Sequence, residues 1–245
     1  MWQDKRVSVV FPAFNEAANV ARAAEDFRAV AAVDEVIVVD NNSRDATAAL
    51  ARAAGARVVS EGRQGYGHAL QRGLREAQGD YIILAEPDGT FVASDVFKLL
   101  AYADEFDLVL GTRTTRELIW DQANMGWFLR VGNLAVAKLL QVLFGGPSLS
   151  DCGCTMRLIR RDALGRIGRG FTVGGSHFLP EMVVLALLHR LRIIEIPINY
   201  RARVGDSKIT GSQVTALKVG ARMIALILQY RLRSWRRRGR GLRAR

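Results

Sequence analysis

The sequence predicts an α/β fold, a mainly parallel central sheet with helices on both faces. Two observations carry that expectation. Five short, β-branched apolar runs fall within the first 112 residues, and Ala-, Leu- and Arg-rich stretches of helical character separate them. The runs are nearly continuous rather than alternating apolar with polar, which suits strands covered on both sides. Strand and helix alternate four times, an order that gives crossover connections and parallel neighbours.

In chain order, "VSVVF" (7–11) is the first strand and 16–32 the first helical stretch. "EVIVVD" (35–40) follows, then a helix over 44–54 whose "NNSRDAT" supplies cap-forming side chains. "ARVVS" (56–60), a helix at 66–78, "YIILAE" (81–86) and "DLVLGT" (107–112) complete the alternation. Beyond residue 113 the pattern changes to a long helical stretch at 121–146, a loop "GGPSLSDCGC", a strand near 154–159 and a helix at 176–190. The strand "RIIEIPINY" (192–200) then leads to a last helix at 210–231 and an arginine-rich tail. Residues 1–210 are expected to form the domain, and 211–245 an amphipathic helix with its tail.

At 245 residues and 49% hydrophobic composition, the chain can bury one full core. The net charge is +11, but the last 15 residues hold eight arginines and no acid, so the rest carries only +3. Such a tail could bind nucleic acid, yet it has a single aromatic, Trp235, and no recognition fold precedes it. It follows "VTALKVGARMIALILQYRL", which fits a helix lying on a membrane surface with its arginines at anionic headgroups. The stretch 118–146, with Trp120, Trp127 and Phe128, is a second candidate contact. In the competing reading both helices pack on the sheet, or on a second copy in a homo-oligomer.

No run reaches the roughly 18 uninterrupted apolar residues of a spanning helix. The N-terminus reaches Asn15 and Glu16 before any long apolar stretch, unlike a cleavable signal peptide. Cys152 and Cys154 are too close together for an easy disulfide and too few for a cysteine-based zinc site. A cytoplasmic enzyme, peripheral at the inner face of the membrane, is the expectation.

Ligands of such sheets sit beyond the carboxyl ends of the strands. That rule selects "PAFNE" after the first strand, Asp40 to Asp45 after the second, "EGRQGYG" after the third and "EPDGT" after the fourth. The first turn holds no glycine, which disfavours a dinucleotide-binding site, and no P-loop pattern occurs. Asp40 could accept hydrogen bonds from a ribose or base edge, or act as a turn acid. Arg63, Gln64, Gly65 and Gly67 could serve a phosphate or simply form a turn. Glu86 and Asp88 flank Pro87, which presets a turn, and two hard oxygen ligands at that spacing suit Mg²⁺ or Mn²⁺ bridging a diphosphate.

Taken as an ordered series, "VSVVFPAFNEAANV", "VIVVDNNSRDAT" and "GRQGYGHALQRGLREAQGDYIILAEPDGTF" resemble the nucleotide-sugar-binding half of the inverting glycosyltransferase family 2, which has the GT-A fold. "GTR" (111–113), "LRVGN" (129–133), "DCGCTMR" (151–157) and "YRARVGDSKIT" (200–210) are most similar to its polyprenyl-phosphate branch, which includes dolichyl-phosphate mannose synthases. The resemblance implies a nucleotide-sugar set of Pro12, Asn15, Glu16, Asp40, Asn41, Ser43, Gly65, Glu86, Pro87 and Asp88, with Asp45 shaping the wall. Glu86 and Asp88 match the metal-binding D-x-D pattern for Mg²⁺ or Mn²⁺, with Glu in the first acid position and Thr90 where the branch often has glutamine. Arg113, Arg130, Arg201, Arg203, Ser207 and Lys208 match positions near the acceptor phosphate and the donor diphosphate, as guanidinium groups suit. Asp88, Arg113 and Arg130 are implied in catalysis. Asp151 and Arg157 fall in a segment that has Thr155 and Met156 where the branch usually has a glycine before an aromatic.

The activity so implied is metal-dependent, inverting transfer of a sugar from a nucleoside-diphosphate sugar to a polyprenyl phosphate. A lipid phosphate is already a nucleophile and needs no strong base. Transfer to a hydroxyl of a glycan or lipid is the alternative, with Glu181 as base. A non-catalytic membrane-surface protein that retains the fold is a third reading. His177, four residues before Glu181, is a further candidate metal ligand, weighed against a structural histidine.

Overall fold

A computed structural model describes residues 1–120, 127–203 and 213–242. The elements run β1 (Val7–Ala13), α1 (Val20–Arg28), β2 (Glu35–Asp40), α2 (Thr47–Ala53), β3 (Arg57–Ser60), α3 (Tyr66–Glu76) and β4 (Tyr81–Leu84). They continue through α4 (Val96–Leu100), β5 (Leu108–Thr112), α5 (Trp127–Phe144), β6 (Arg157–Arg160), α6 (Arg161–Ile167), α7 (Phe178–Leu188), β7 (Ile193–Pro197) and α8 (Gln213–Leu242). The seven strands form one sheet in the order β3-β2-β1-β4-β6-β5-β7. All pairings are parallel except those of β6, which runs antiparallel to β4 and β5.

The continuous apolar runs are explained by two cores, one on each face of the sheet. Val7, Val9 and Phe11 of β1 point into a core with Val20, Ala24, Phe27, Ala51, Val96 and Leu99 from α1, α2 and α4. Val10, Ile37, Val39, Ile82 and Leu84 point the other way, against Leu70 and Leu74 of α3, Leu140 of α5, Met182 and Val183 of α7 and Ile227 of α8. Successive side chains of a strand alternate faces, so burial on both faces demands apolar residues at every position.

Several boundaries differ from the sequence expectation. The five-residue α4 and seven-residue α6 go unread, being too short for a helical period to register. β6 starts at Arg157 rather than 154, because Asp151 to Thr155 form a loop. α8 extends to Leu242, through most of the arginine-rich segment, since arginine is a good helix former and no proline interrupts it. One side of α8 is built into the body, where Leu226, Ile227 and Tyr230 are buried and the helix packs on α5 and α7. Among the described residues, no helix is long and apolar enough to cross a membrane.

Candidate active site

β1 pairs with β2 on one side and β4 on the other, so the loops leaving these strands diverge around a crevice at their carboxyl ends. The loops after β1 and β2 are stitched together. The Asn15 amide donates to Ser43 Oγ (3.0 Å), the Glu16 amide to Thr47 Oγ1 (2.8 Å) and the Ala17 amide to Asp45 Oδ2 (3.1 Å). Asn15 itself has φ +54°, and its Oδ1 accepts the Arg44 amide at 2.8 Å. Asp40 Oδ1 accepts the Ser43 amide at 3.2 Å. Asn41 fastens the third loop, its Nδ2 donating to the carbonyls of Glu61 and Arg63 and its Oδ1 accepting the Gly65 amide at 2.7 Å.

After β4, "EPDGT" closes as a tight turn with Gly89 at φ +80°. The Thr90 amide and hydroxyl both donate to Asp88 Oδ1, at 3.0 and 2.6 Å, which leaves Oδ2 directed at Arg203 Nη1, 3.2 Å away. Arg203 also reaches Glu16 Oε1 at 2.9 Å, so one guanidinium spans the loop after β1 and the acidic turn. Glu86 Oε1 is held by the hydroxyls of Tyr66 (2.8 Å) and Thr155 (2.6 Å). Burial, reinforced by the charge of Asp88, pushes the Glu86 carboxyl up to about 7. Two adjacent carboxylates, one already facing a cationic group, form a donor set that fits a hard divalent ion, and Glu86 and Asp88 would hold it.

Arg113 is set by a relay behind it. Its Nε and Nη2 form a bidentate pair with Asp151 at 2.8 and 3.0 Å, and its guanidinium lies 5.2 Å from the Tyr200 ring centre. Burial works against the Arg113 charge, but the Asp151 carboxylate outweighs it and holds the group more firmly protonated. Glu195 of β7 in turn accepts the Ser150 amide and hydroxyl and the Asp151 amide, at 2.7, 2.6 and 2.8 Å. Arg157 is fully buried and donates to the carbonyls of Cys152, Cys154 and Leu179, bracing the loop that carries Thr155. The free thiols of Cys152 and Cys154 are buried and raised to about 12, which suits packing rather than chemistry.

These parts face one cavity of about 670 Å³. Its charged end is lined by Glu16, Asn41, Glu86, Asp88, Arg113 and Arg203, with Pro12 and Pro87 between them. Its other end lies between two helices, Gly132, Ala135 and Val136 of α5 and Leu217, Gly220, Ala221, Met223 and Ile224 of α8. Asn15, Asp40 and Ser43 stand behind the lining and shape it through the hydrogen bonds above. Arg130 and Arg201 do not line the cavity; Arg201 stacks 4.3 Å above the Trp120 ring. Ser207 and Lys208 lie outside the described residues.

Three expectations are corrected by this geometry. Gly65 does not line the cavity, and the Gly174 carbonyl covers its α-carbon, where an added Cβ would approach to 2.3 Å. Gly65 has φ +148°, and with Gly67 it lets the segment 173–175 pack directly on the start of α3. Glu181 is fully buried away from the cavity lining. Its carboxylate is saturated by the Thr172 amide and hydroxyl, the Val173 amide and the Tyr230 hydroxyl (2.8 Å), the setting of a structural acid. His177 precedes α7 with its basicity lowered by burial, and it does not line the cavity that Glu86 and Asp88 face. Tyr66, Asn133, Thr155, Tyr200 and the α8 residues of the lining escape sequence reasoning, since each is brought in by contacts across long sequence separations.

A switch-point crevice with a paired-acid turn after the fourth strand, on a sheet with one antiparallel insertion, fits a glycosyltransferase of the GT-A type. Residues 8–168 match the family model for Glycosyl transferase family 2, and the chain belongs to that family. An uncharacterized glycosyltransferase of Mycobacterium tuberculosis is 34% identical over 209 residues, covering 84% of this chain and 90% of that one. The dolichyl-phosphate hexose transferase of Haloferax volcanii is 30% identical over 229 residues, covering 93% of this chain and 96% of its own length. Among solved structures, glucosyl-3-phosphoglycerate synthase from M. tuberculosis, in complex with Mn²⁺, UDP and glucosyl-3-phosphoglycerate, aligns with a TM-score of 0.71. It is 23% identical, with 93% of this chain and 80% of that chain covered, a likeness of fold.

Proposed function

We propose that the protein is a metal-dependent, inverting hexosyltransferase that moves a sugar from a nucleoside-diphosphate sugar to a polyprenyl phosphate at the cytoplasmic membrane surface. One observation carries this reading: a single cavity joins a charged end at the strand termini to an apolar end between α5 and α8. A nucleotide sugar needs only the first; a lipid phosphate needs both. The apolar end also continues outward. Leu217, Ile224, Leu228, Leu232 and Trp235 recur at i, i+7, i+11, i+15 and i+18, one stripe of α8, and all are exposed. Leu217 and Ile224 belong to both the cavity and the stripe, which supports entry of an isoprenoid chain from a lipid surface. The H. volcanii relative, named for dolichyl phosphate, supports the same acceptor class.

Chemistry follows from the groups present. The Asp151 pair fixes the Arg113 guanidinium, which would receive a phosphate oxygen, and Arg203, between Glu16 and Asp88, would meet the donor diphosphate. When bound, Mg²⁺ or Mn²⁺ supplies positive charge that stabilises the departing diphosphate. The Mn²⁺ or Mg²⁺ named in complexes of the M. tuberculosis synthase with UDP supports that assignment. Since an acceptor phosphate is anionic near neutral pH, attack on the anomeric carbon needs alignment more than a base, in keeping with a buried, saturated Glu181.

The test is to incubate the protein with Mg²⁺ or Mn²⁺, a panel of nucleotide sugars and a short polyprenyl phosphate, and to look for glycolipid by mass spectrometry. A sugar phosphodiester on the isoprenoid is expected. Transfer only to hydroxyl acceptors, and none to the phosphate, would overturn the proposal.

A further inference from the structure

We propose that Tyr66 and Thr155 are positioning residues that select which oxygen of Glu86 faces a divalent cation. This rests on reading Glu86 and Asp88 as the cation site of the transferase proposed above. Glu86 and Thr155 lie 69 positions apart in sequence and touch at 2.6 Å. Tyr66, at the start of α3, closes the triangle, 2.8 Å from Glu86 Oε1 and 2.6 Å from Thr155 Oγ1.

Both hydroxyls address the same carboxylate oxygen, Oε1. The glutamate arm has one more rotatable bond than aspartate and would otherwise sample more positions at the cavity wall. With Oε1 held from two directions, its second oxygen is the one left for a ligand. The donors are themselves rigidly mounted. Thr155 is 2% exposed and lies in the loop braced by Arg157, and Tyr66 leads α3 where Gly65 and Gly67 are locked against 173–175. Groups that orient metal ligands in this way set affinity without touching the ion. Two hydroxyl protons serve three short O···O contacts, so Tyr66 and Thr155 act as one unit and losing either disturbs the other.

The experiment is titration of full-length protein with Mn²⁺, alone and with UDP or GDP, following free Mn²⁺ by electron paramagnetic resonance and checking folding by circular dichroism. Tyr66→Phe and Thr155→Val should each weaken Mn²⁺ binding by about 10- to 100-fold, the range for second-layer groups at metal sites. The double variant should be little worse than the weaker single one, and Thr155→Ser should bind within about 3-fold of the parent, since it keeps the hydroxyl. In a Glu86→Asp background the shorter arm no longer reaches the two hydroxyls, and adding Thr155→Val should change nothing further. Parent-like Mn²⁺ binding by Tyr66→Phe and Thr155→Val overturns the positioning role and leaves the transferase reading standing. No Mn²⁺ binding by the parent protein with either nucleotide overturns the metal site itself. Should Thr155→Val fail to fold, Thr155→Ala compared with Thr155→Ser supplies the same contrast, and equal binding by those two is a refutation.

Discussion

At the residue scale, Glu86 is costly to keep. Its folded-state value of about 7, against an ordinary 4.5, arises from burial and from the neighbouring Asp88. Between those values the folded chain holds a proton that the unfolded chain releases. The favourable contribution is therefore complete below about pH 4.5 and is lost as pH rises through about 7, where a buried charge must be borne. Glu86→Gln keeps an acceptor for Tyr66 and Thr155 while removing that charge. It should raise the melting temperature at pH 8 by about 4 to 8 °C, corresponding to roughly 2 kcal/mol, and by much less at pH 4.5. The same variant, like Asp88→Asn, should lose nearly all transferase activity. Melting curves at the two pH values decide the matter, and an equal offset at both would refute the electrostatic account.

At the element scale, Glu181 ties α7 to the segment 172–173 and to α8 through Tyr230. Glu181→Ala leaves two amides and two hydroxyls, those of Thr172 and Tyr230, without their acceptor. It should cost about 3 kcal/mol of stability by chemical denaturation, while folded protein at low temperature keeps its turnover. Abolished turnover with unchanged stability would restore the catalytic base. α8 yields a second prediction. Gly220 lines the apolar end of the cavity, and an added Cβ there meets nothing within 4 Å. Gly220→Leu should fold normally and raise KM for a long polyprenyl phosphate by about 10-fold, a cost of roughly 1.4 kcal/mol, with the donor KM unchanged. The sheet strands are legible in the sequence because burial on both faces writes an unbroken apolar run. α4 and α6 are not, for a helix of one or two turns shows no period. The turn acids Glu86 and Asp88 are legible because the carboxyl ends of parallel strands are where ligands gather. Tyr66 and Thr155 are hidden, because 89 positions separate two hydroxyls that meet at 2.6 Å. Glu181 misleads for the same reason, since its partners come from another loop and another helix.

At the scale of the whole molecule, the sheet presents its charged crevice and the α5–α8 pair presents apolar surface beside it. Val131, Leu134 and Val142 of α5 are exposed, as is the stripe of α8 from Leu217 to Trp235. Arg231 lies 4.8 Å from the Trp235 ring and 5.8 Å from that of Phe144, placing a guanidinium among these apolar side chains. Eight arginines in the last 15 residues then add a charge that favours anionic headgroups. Attachment of this face to a membrane is a single proposition with two separable terms, an apolar one from the stripe and an electrostatic one from the arginines. In vesicle co-sedimentation, the full chain should bind vesicles containing an anionic phospholipid more tightly than phosphatidylcholine alone, and added salt should weaken only the anionic case. Leu228→Ser combined with Leu232→Ser should weaken binding to both by about 10- to 100-fold while sparing the salt dependence, because it removes buried apolar area and no charge. Equal binding to both vesicle types at low salt would mean that the arginines serve another surface, and no effect of the double substitution would mean the same of the stripe.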